Sequence, residues 1–203
     1  MGKSLGNVLD PELLLTKYGN DPVRWYLIKD ISLGNDGDFQ DKRFVDIINN
    51  DLANTIGNLL NRTSSMSRKW FDNKIPNNEK ITSENKLENF AKIAVENYIH
   101  NFDIYKLDLA ANEVLSLSIN TNLYLNDNQP WILIKEKDNL PLVKDIIYNV
   151  LESTRIIGLL LLPLLPELSS KINEQLGSIY KKEIPWQEQL SWGLLICNYQ
   201  SYE

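Results

Sequence analysis

From Phe44 to Trp70 the apolar residues Phe44, Ile47, Ile48, Leu52, Ile56, Leu59, Leu60 and Met66 recur mainly at three- and four-residue spacing. That period turns one face of a long helix toward a core. Helical periodicity continues around Glu84 to Phe102, Ile104 to Asn126 and Pro141 to Leu162, and strand signals are nearly absent. Polar or proline-bearing breaks separate these stretches: Asn73 to Asn78 with Pro76, His100 to Asp103, Pro130, and the Pro163 and Pro166 pair before a last helix closed by Gly177. Helices of this length joined by short loops predict an all-α antiparallel bundle.

Two shorter helices precede it. Asp10-Pro11 is an N-cap followed by proline at the first helical position, Gly19 closes that helix, and Asp21-Pro22 repeats the device for the next one. Ile31 to Gln40, with Gly34, Asn35, Asp36, Gly37 and Asp38, has turn chemistry and reads as an irregular connector. The expected division is therefore a helical connector over 1–40, a bundle over 41–180 and a C-terminal tail over 181–203.

Composition narrows the class without changing the fold. The 203 residues are 43% hydrophobic, enough for one or two domains with a real core. Cys197 is the only cysteine, which excludes a disulfide framework or a zinc knuckle made within the chain and suits a reducing cytoplasm. The N-terminus lacks the layout of a secretory signal, and Gly6 stands where an acylation motif wants Ser or Thr. The apolar run Ile156 to Leu165 is broken by Pro163, well short of the roughly 20 residues of a spanning helix, so it is expected to be a buried core helix.

A net charge of −6 argues against indiscriminate nucleic-acid binding. The charge is unevenly spread, however. From Leu52 to Phe71 there is no acidic residue, while Arg62, Arg68 and Lys69 are present, a pattern that suits one localised contact. Glu136, Asp138 and Asp145 form no metal or acid/base set and read as a solvated face.

Three sets of residues can carry chemistry. Lys3 and Ser4, next to Gly2 and Gly6, have the small-residue and lysine character that phosphate handling wants, although a frayed terminus has the same composition. Asn58 and Arg62 lie four apart, so a helix puts both on one face. There an amide and a planar guanidinium can meet one base edge, although an arbitrary pair at this spacing is more often solvated or packing. Trp131 follows Pro130, which pins the backbone and presents the indole at a fixed place where an unstacked base can stack; the commoner role of Trp is packing, and Trp25, Trp70, Trp186 and Trp192 are read that way.

Lys3-Ser4-Leu5-Gly6-Asn7, then Asp10-Pro11, then Gly19-Asn20-Asp21-Pro22-Val23-Arg24-Trp25-Tyr26-Leu27 resembles the "KMSKS" signature loop of class I aminoacyl-tRNA synthetases and the helices after it. Lys3 falls on the second lysine and Ser4 on the final serine; Gly2 replaces the commoner serine, and the first lysine would precede residue 1. Asp36-Gly37-Asp38-Phe39, Asn50-Asp51-Leu52-Ala53-Asn54 and Gly57-Asn58-Leu59-Leu60-Asn61-Arg62 resemble the methionyl branch and not its cysteinyl, valyl, leucyl or isoleucyl relatives. The likeness runs on to about Leu195.

The resemblance implies a class Ia anticodon-binding bundle preceded by a remnant of a catalytic domain. It further implies that Lys3 and Ser4 belong to the loop that holds ATP phosphates, and that Asn58, Arg62 and Trp131 bind the anticodon. The whole enzyme would use ATP with Mg to attach methionine to its tRNA in the cytoplasm, with no membrane partner. No metal is expected on this chain. His100 is the only histidine, so the paired histidines of the family's "HIGH" signature are not in this chain, which is expected to be inactive alone. Two other readings fit the residues: a free-standing tRNA- or RNA-binding module, and a structural bundle that meets protein partners through acidic faces.

Overall fold

The computed structural model describes residues 10–30, 39–72, 74–76, 85–177 and 180–195, and every regular element among them is helical. In chain order these are α1 (Pro11–Tyr18), α2 (Asn20–Asp30), α3 (Asp41–Ile47), a π-helical segment (Ile48–Gly57), α4 (Asn58–Phe71), α5 (Lys86–Asp103), α6 (Leu107–Asn128), α7 (Pro130–Leu133), α8 (Leu140–Leu161), α9 (Pro166–Leu176) and α10 (Trp186–Gln189). The all-α expectation holds, with a helical pair leading into a bundle.

α1 starts as its sequence predicts: Asp10 accepts the Glu12 N–H at 2.9 Å, Pro11 takes the first helical position and Gly19 ends the helix at φ 83°. α2 differs from expectation. It begins at Asn20, so Asp21 sits in its first turn and does not cap it. The buried Asp21 carboxylate accepts the Leu168 N–H at 2.7 Å instead, in the first turn of α9, where unpaired donors and the positive end of the dipole favour an anion. Burial pushes this carboxyl above its ordinary pKa, and the bond to Leu168 opposes that shift.

Two neighbours add to the attachment of α2. The Arg24 guanidinium donates to the carbonyls of Leu164 at 2.7 Å and Pro163 at 3.0 Å. The fully buried Trp25 donates its indole N–H to Asp51 of the π-helical segment at 3.0 Å. Trp25 is thus a packing residue that also makes a directed bond.

The predicted Phe44 to Trp70 helix exists as one continuous rod, since the residues at both internal junctions keep helical dihedrals. Its middle is π-helical. The Thr55 hydroxyl donates to the Asn50 carbonyl, five residues back, at 2.7 Å, and a Cβ at Gly57 would stand 3.0 Å from the Leu52 carbonyl oxygen. The wider turn ends where α4 begins, at Asn58.

α8 is the axis of the bundle, touching α4, α5, α6, α7 and α9 and buried on every side from Asp145 to Leu161. A helix enclosed all round cannot carry a solvated face. Asp145, expected on one, is 3% exposed, whereas Glu136 and Asp138 are at the surface. Two other polar side chains of α8 are bonded to neighbouring helices or their caps: Ser153 with Thr121 at 2.7 Å, and Asn149 with Asn85 at 2.9 Å and Tyr124 at 3.3 Å. The corner between α5 and α6 falls at Ile104–Lys106, just after the expected break, with Tyr105 in the left-handed region at φ 61°.

The segment assigned to the tail is bound to the bundle as far as Leu195. Glu152 and Arg155, both enclosed in α8, form a bidentate pair at 2.9 and 2.6 Å. Arg155 also donates to the carbonyls of Gln189 at 2.6 Å and Ser191 at 2.7 Å. Glu152 accepts the backbone N–H groups of Gly193, Leu194 and Leu195 at 2.7, 3.0 and 3.0 Å.

α8 and α9 pack tightly at Gly158, where an added Cβ would lie 2.8 Å from Cγ2 of the fully buried Ile172. Gly158→Ala gains about 1 kcal/mol of helix propensity. Overpacking of this kind costs about 1–3 kcal/mol, so the variant is expected to unfold at lower urea than the wild type. An equal or higher midpoint would show that α9 yields.

Candidate nucleic-acid interface

The acid-free half of the long rod faces α6. Arg62, half-buried on α4, donates through Nη2 to Asn126 Oδ1 at 2.8 Å and through Nη1 to Asn122 Oδ1 at a longer 3.5 Å. Asn122 is fixed in turn: its amide donates to the Thr55 carbonyl of the π-helical segment at 3.2 Å and to the Ser118 carbonyl at 3.1 Å. Neutral amides therefore orient the guanidinium. Among the described residues Arg62 has no ion pair, so its full charge and its remaining N–H donors stay available to a ligand.

Trp131 arrives from the other direction. α6 ends in a tight corner at which Gln129 takes the left-handed region at φ 44° and donates its N–H to the Leu125 carbonyl at 3.2 Å. Non-glycine residues adopt that region at a cost, and such residues cluster at functional sites. Pro130, buried, then opens α7, and Trp131 follows it with 38% of its surface exposed. The Arg62 Cζ lies 5.6 Å from the centre of the Trp131 ring, within cation–π range.

Two of the three candidate anticodon residues are thus brought into contact from positions far apart in sequence. Asn58 is exposed at the start of α4, one turn before Arg62 on the same helix. Its side chain makes no hydrogen bond among the described residues, which leaves an amide free to donate and accept. Lys3 and Ser4 lie outside the described residues, as does Cys197.

Sequence reasoning missed Asn122 and Asn126. Their own four-residue spacing on α6 is the signal that was available, since it places both amides on one face, in the way that Asn58 and Arg62 were paired. Tyr124, between them, turns inward. Burial pushes its phenol above the ordinary tyrosine range, so it serves as a neutral hydroxyl that accepts from Asn149.

The arrangement offers a planar cation, an accessible indole and an unpaired amide on a rigid helical frame. These are groups suited to stacking and edge-reading of unstacked bases. Residues 1–64 match the family described as tRNA synthetases class I (M), and residues 75–196 match the anticodon binding domain of methionyl tRNA ligase.

The chain is 40% identical over 202 residues to a methionine–tRNA ligase of Nostoc, an alignment that takes in 96% of this chain and 38% of that protein. It is 41% identical over 178 residues to the Lactococcus lactis ligase, covering 87% of this chain and 27% of that one. Among solved structures, Mycobacterium tuberculosis methionyl-tRNA synthetase in complex with methionyl-adenylate superimposes with a TM-score of 0.79 at 31% identity, over 88% of this chain and 36% of that one. This chain therefore spans less than half the length of each of these relatives.

Proposed function

Because the chain belongs to the methionyl-tRNA ligase family, we propose that it is the tRNA-selecting part of a methionine–tRNA ligase, with Asn58, Arg62 and Trp131 binding the anticodon. The observation that carries this reading is the guanidinium of Arg62, un-neutralised, held by Asn126 against the exposed indole of Trp131. Unlike Arg24, whose guanidinium is used on the Leu164 and Pro163 carbonyls between helices, Arg62 lies against an exposed aromatic ring.

In this reading residues 1–40 belong to the catalytic domain, 41–180 form the anticodon-binding bundle and 181–203 form the tail, which as far as Leu195 is held to the bundle through the Glu152 and Arg155 pair. The complete enzyme takes methionine, ATP with Mg and tRNA in the cytoplasm, and Lys3 and Ser4 belong to the loop that holds the ATP phosphates. Bound ATP supplies the leaving pyrophosphate; what this chain contributes is selection of the tRNA. The bonds from Asp21, Arg24 and Trp25 give the helices that follow the loop a rigid connection to the bundle, a route by which tRNA binding is coupled to the active site.

Filter binding at moderate salt tests the proposal. The 203-residue chain is expected to retain unmodified methionine-accepting tRNA in preference to a tRNA with another anticodon. Equal retention of both would remove the anticodon-reading role.

A further inference from the structure

On another face of α4 from Arg62, a groove of about 450 Å³ runs between α4 and α9 and is lined by Gly57, Asn61, Ser64, Ser65, Arg68 and Gln175 together with Leu60. Its polar side chains are hydroxyls, amides and one guanidinium, without a carboxylate. The nearest acidic residue in sequence, Glu174, accepts from the Ser170 hydroxyl at 3.1 Å. Along the rod no acid occurs from Leu52 to Phe71; Asp72, four residues past Arg68, closes α4 and is not among the lining residues.

Two side chains in this groove lack partners. Arg68 is exposed and makes no ion pair or hydrogen bond among the described residues. The Ser64 hydroxyl is buried with no hydrogen-bond partner among them. Position near the C-terminus of α4 accounts for a cation there through the helix dipole, but not for a concave, acid-free lining.

We propose that this groove binds the sugar–phosphate backbone of the RNA strand leaving the Arg62 and Trp131 site, with Arg68 contacting a phosphate and the exposed Ser65 and Asn61 donating to its oxygens. The proposal rests on the anticodon-binding reading above. Asn58, Asn61, Arg62 and Ser65 follow one another at helical spacing, so the groove continues the proposed base-reading face sideways along α4. Arg68 lies about 9 Å further along the axis than Arg62 and about a third of a turn round it, so a strand reaches it by crossing Asn61 and Ser65. A phosphate contact is independent of sequence and positions the strand, while the base contacts discriminate.

The test is fluorescence anisotropy with the full chain and two RNA hairpins, one bearing the methionine anticodon loop and one a scrambled loop, titrated between 50 and 200 mM salt. Arg68→Gln is expected to weaken both hairpins alike and to reduce the slope of log affinity against log salt by about 0.7–0.9, which makes the loss about threefold smaller at the upper salt than at the lower. Arg68→Lys is expected to keep the slope, and circular dichroism to show both variants folded. An unchanged slope in Arg68→Gln while the wild type binds would overturn the phosphate site, as would a loss confined to the methionine loop. A wild type that binds both hairpins equally would sink the anticodon reading and leave the backbone site standing, and a wild type that binds neither would end both.

Discussion

Glu152→Ala is expected to destabilise the protein by about 3–5 kcal/mol, the range seen when one member of a buried ion pair is removed. Domains of ordinary stability hold only about 5–15 kcal/mol, so this single change would consume a large share. Glu152 is completely enclosed and its two oxygens accept from Arg155 Nε and Nη2 and from three backbone N–H groups, those of Gly193, Leu194 and Leu195. Its removal strands a guanidinium in the core, leaving it the Gln189 and Ser191 carbonyls as acceptors. It also strips the acceptor from three donors at the end of the described chain.

Urea unfolding measures the loss. Hydrogen exchange is expected to show residues 193–195 opening first, because their acceptor is gone while the rest of the bundle is intact. Replacing Glu152 and Arg155 together by Leu and Met should recover part of the stability by removing the stranded charge, but not the part owed to the backbone donors. A Glu152→Ala protein with wild-type stability would mean that the 180–195 segment contributes little to the fold.

Arg62→Ala and Trp131→Ala are each expected to weaken binding of a methionine anticodon stem-loop by about 1–3 kcal/mol while leaving the bundle folded. The two residues sit at the surface, and neither is part of the enclosed core. Because the guanidinium lies 5.6 Å from the ring centre, each helps to orient the other, and the double variant should lose less than the sum of the two. Isothermal titration or anisotropy with the three variants provides the cycle. If both single variants bind as tightly as the wild type, the interface is elsewhere on the molecule.

Much of the bundle was legible along the chain. Asp10, Pro11 and Gly19 mark α1 because capping acts within a few residues of the helix end. The apolar period of the rod and the Pro163 break locate their elements because both depend on near neighbours. The spacing of Asn58 and Arg62 identified a shared face, but the nature of their surroundings was not available from that spacing. Asp21 shows the limit most clearly: its local signal is a cap for its own helix, while packing spends it on a helix 147 residues away.

What the sequence determined by itself was the helical content, the places where helices stop and the residue types capable of meeting a base. These are set by backbone sterics and by contacts three or four residues apart. Only the tertiary structure decided that Asn126 would hold Arg62 from 64 residues away, that α8 would enclose a charged pair, and that the chain after Gly177 would return to that pair. Such choices turn on which surfaces exclude water from one another, and a polar group's partner inside a core is found only once the distant segment carrying it has docked.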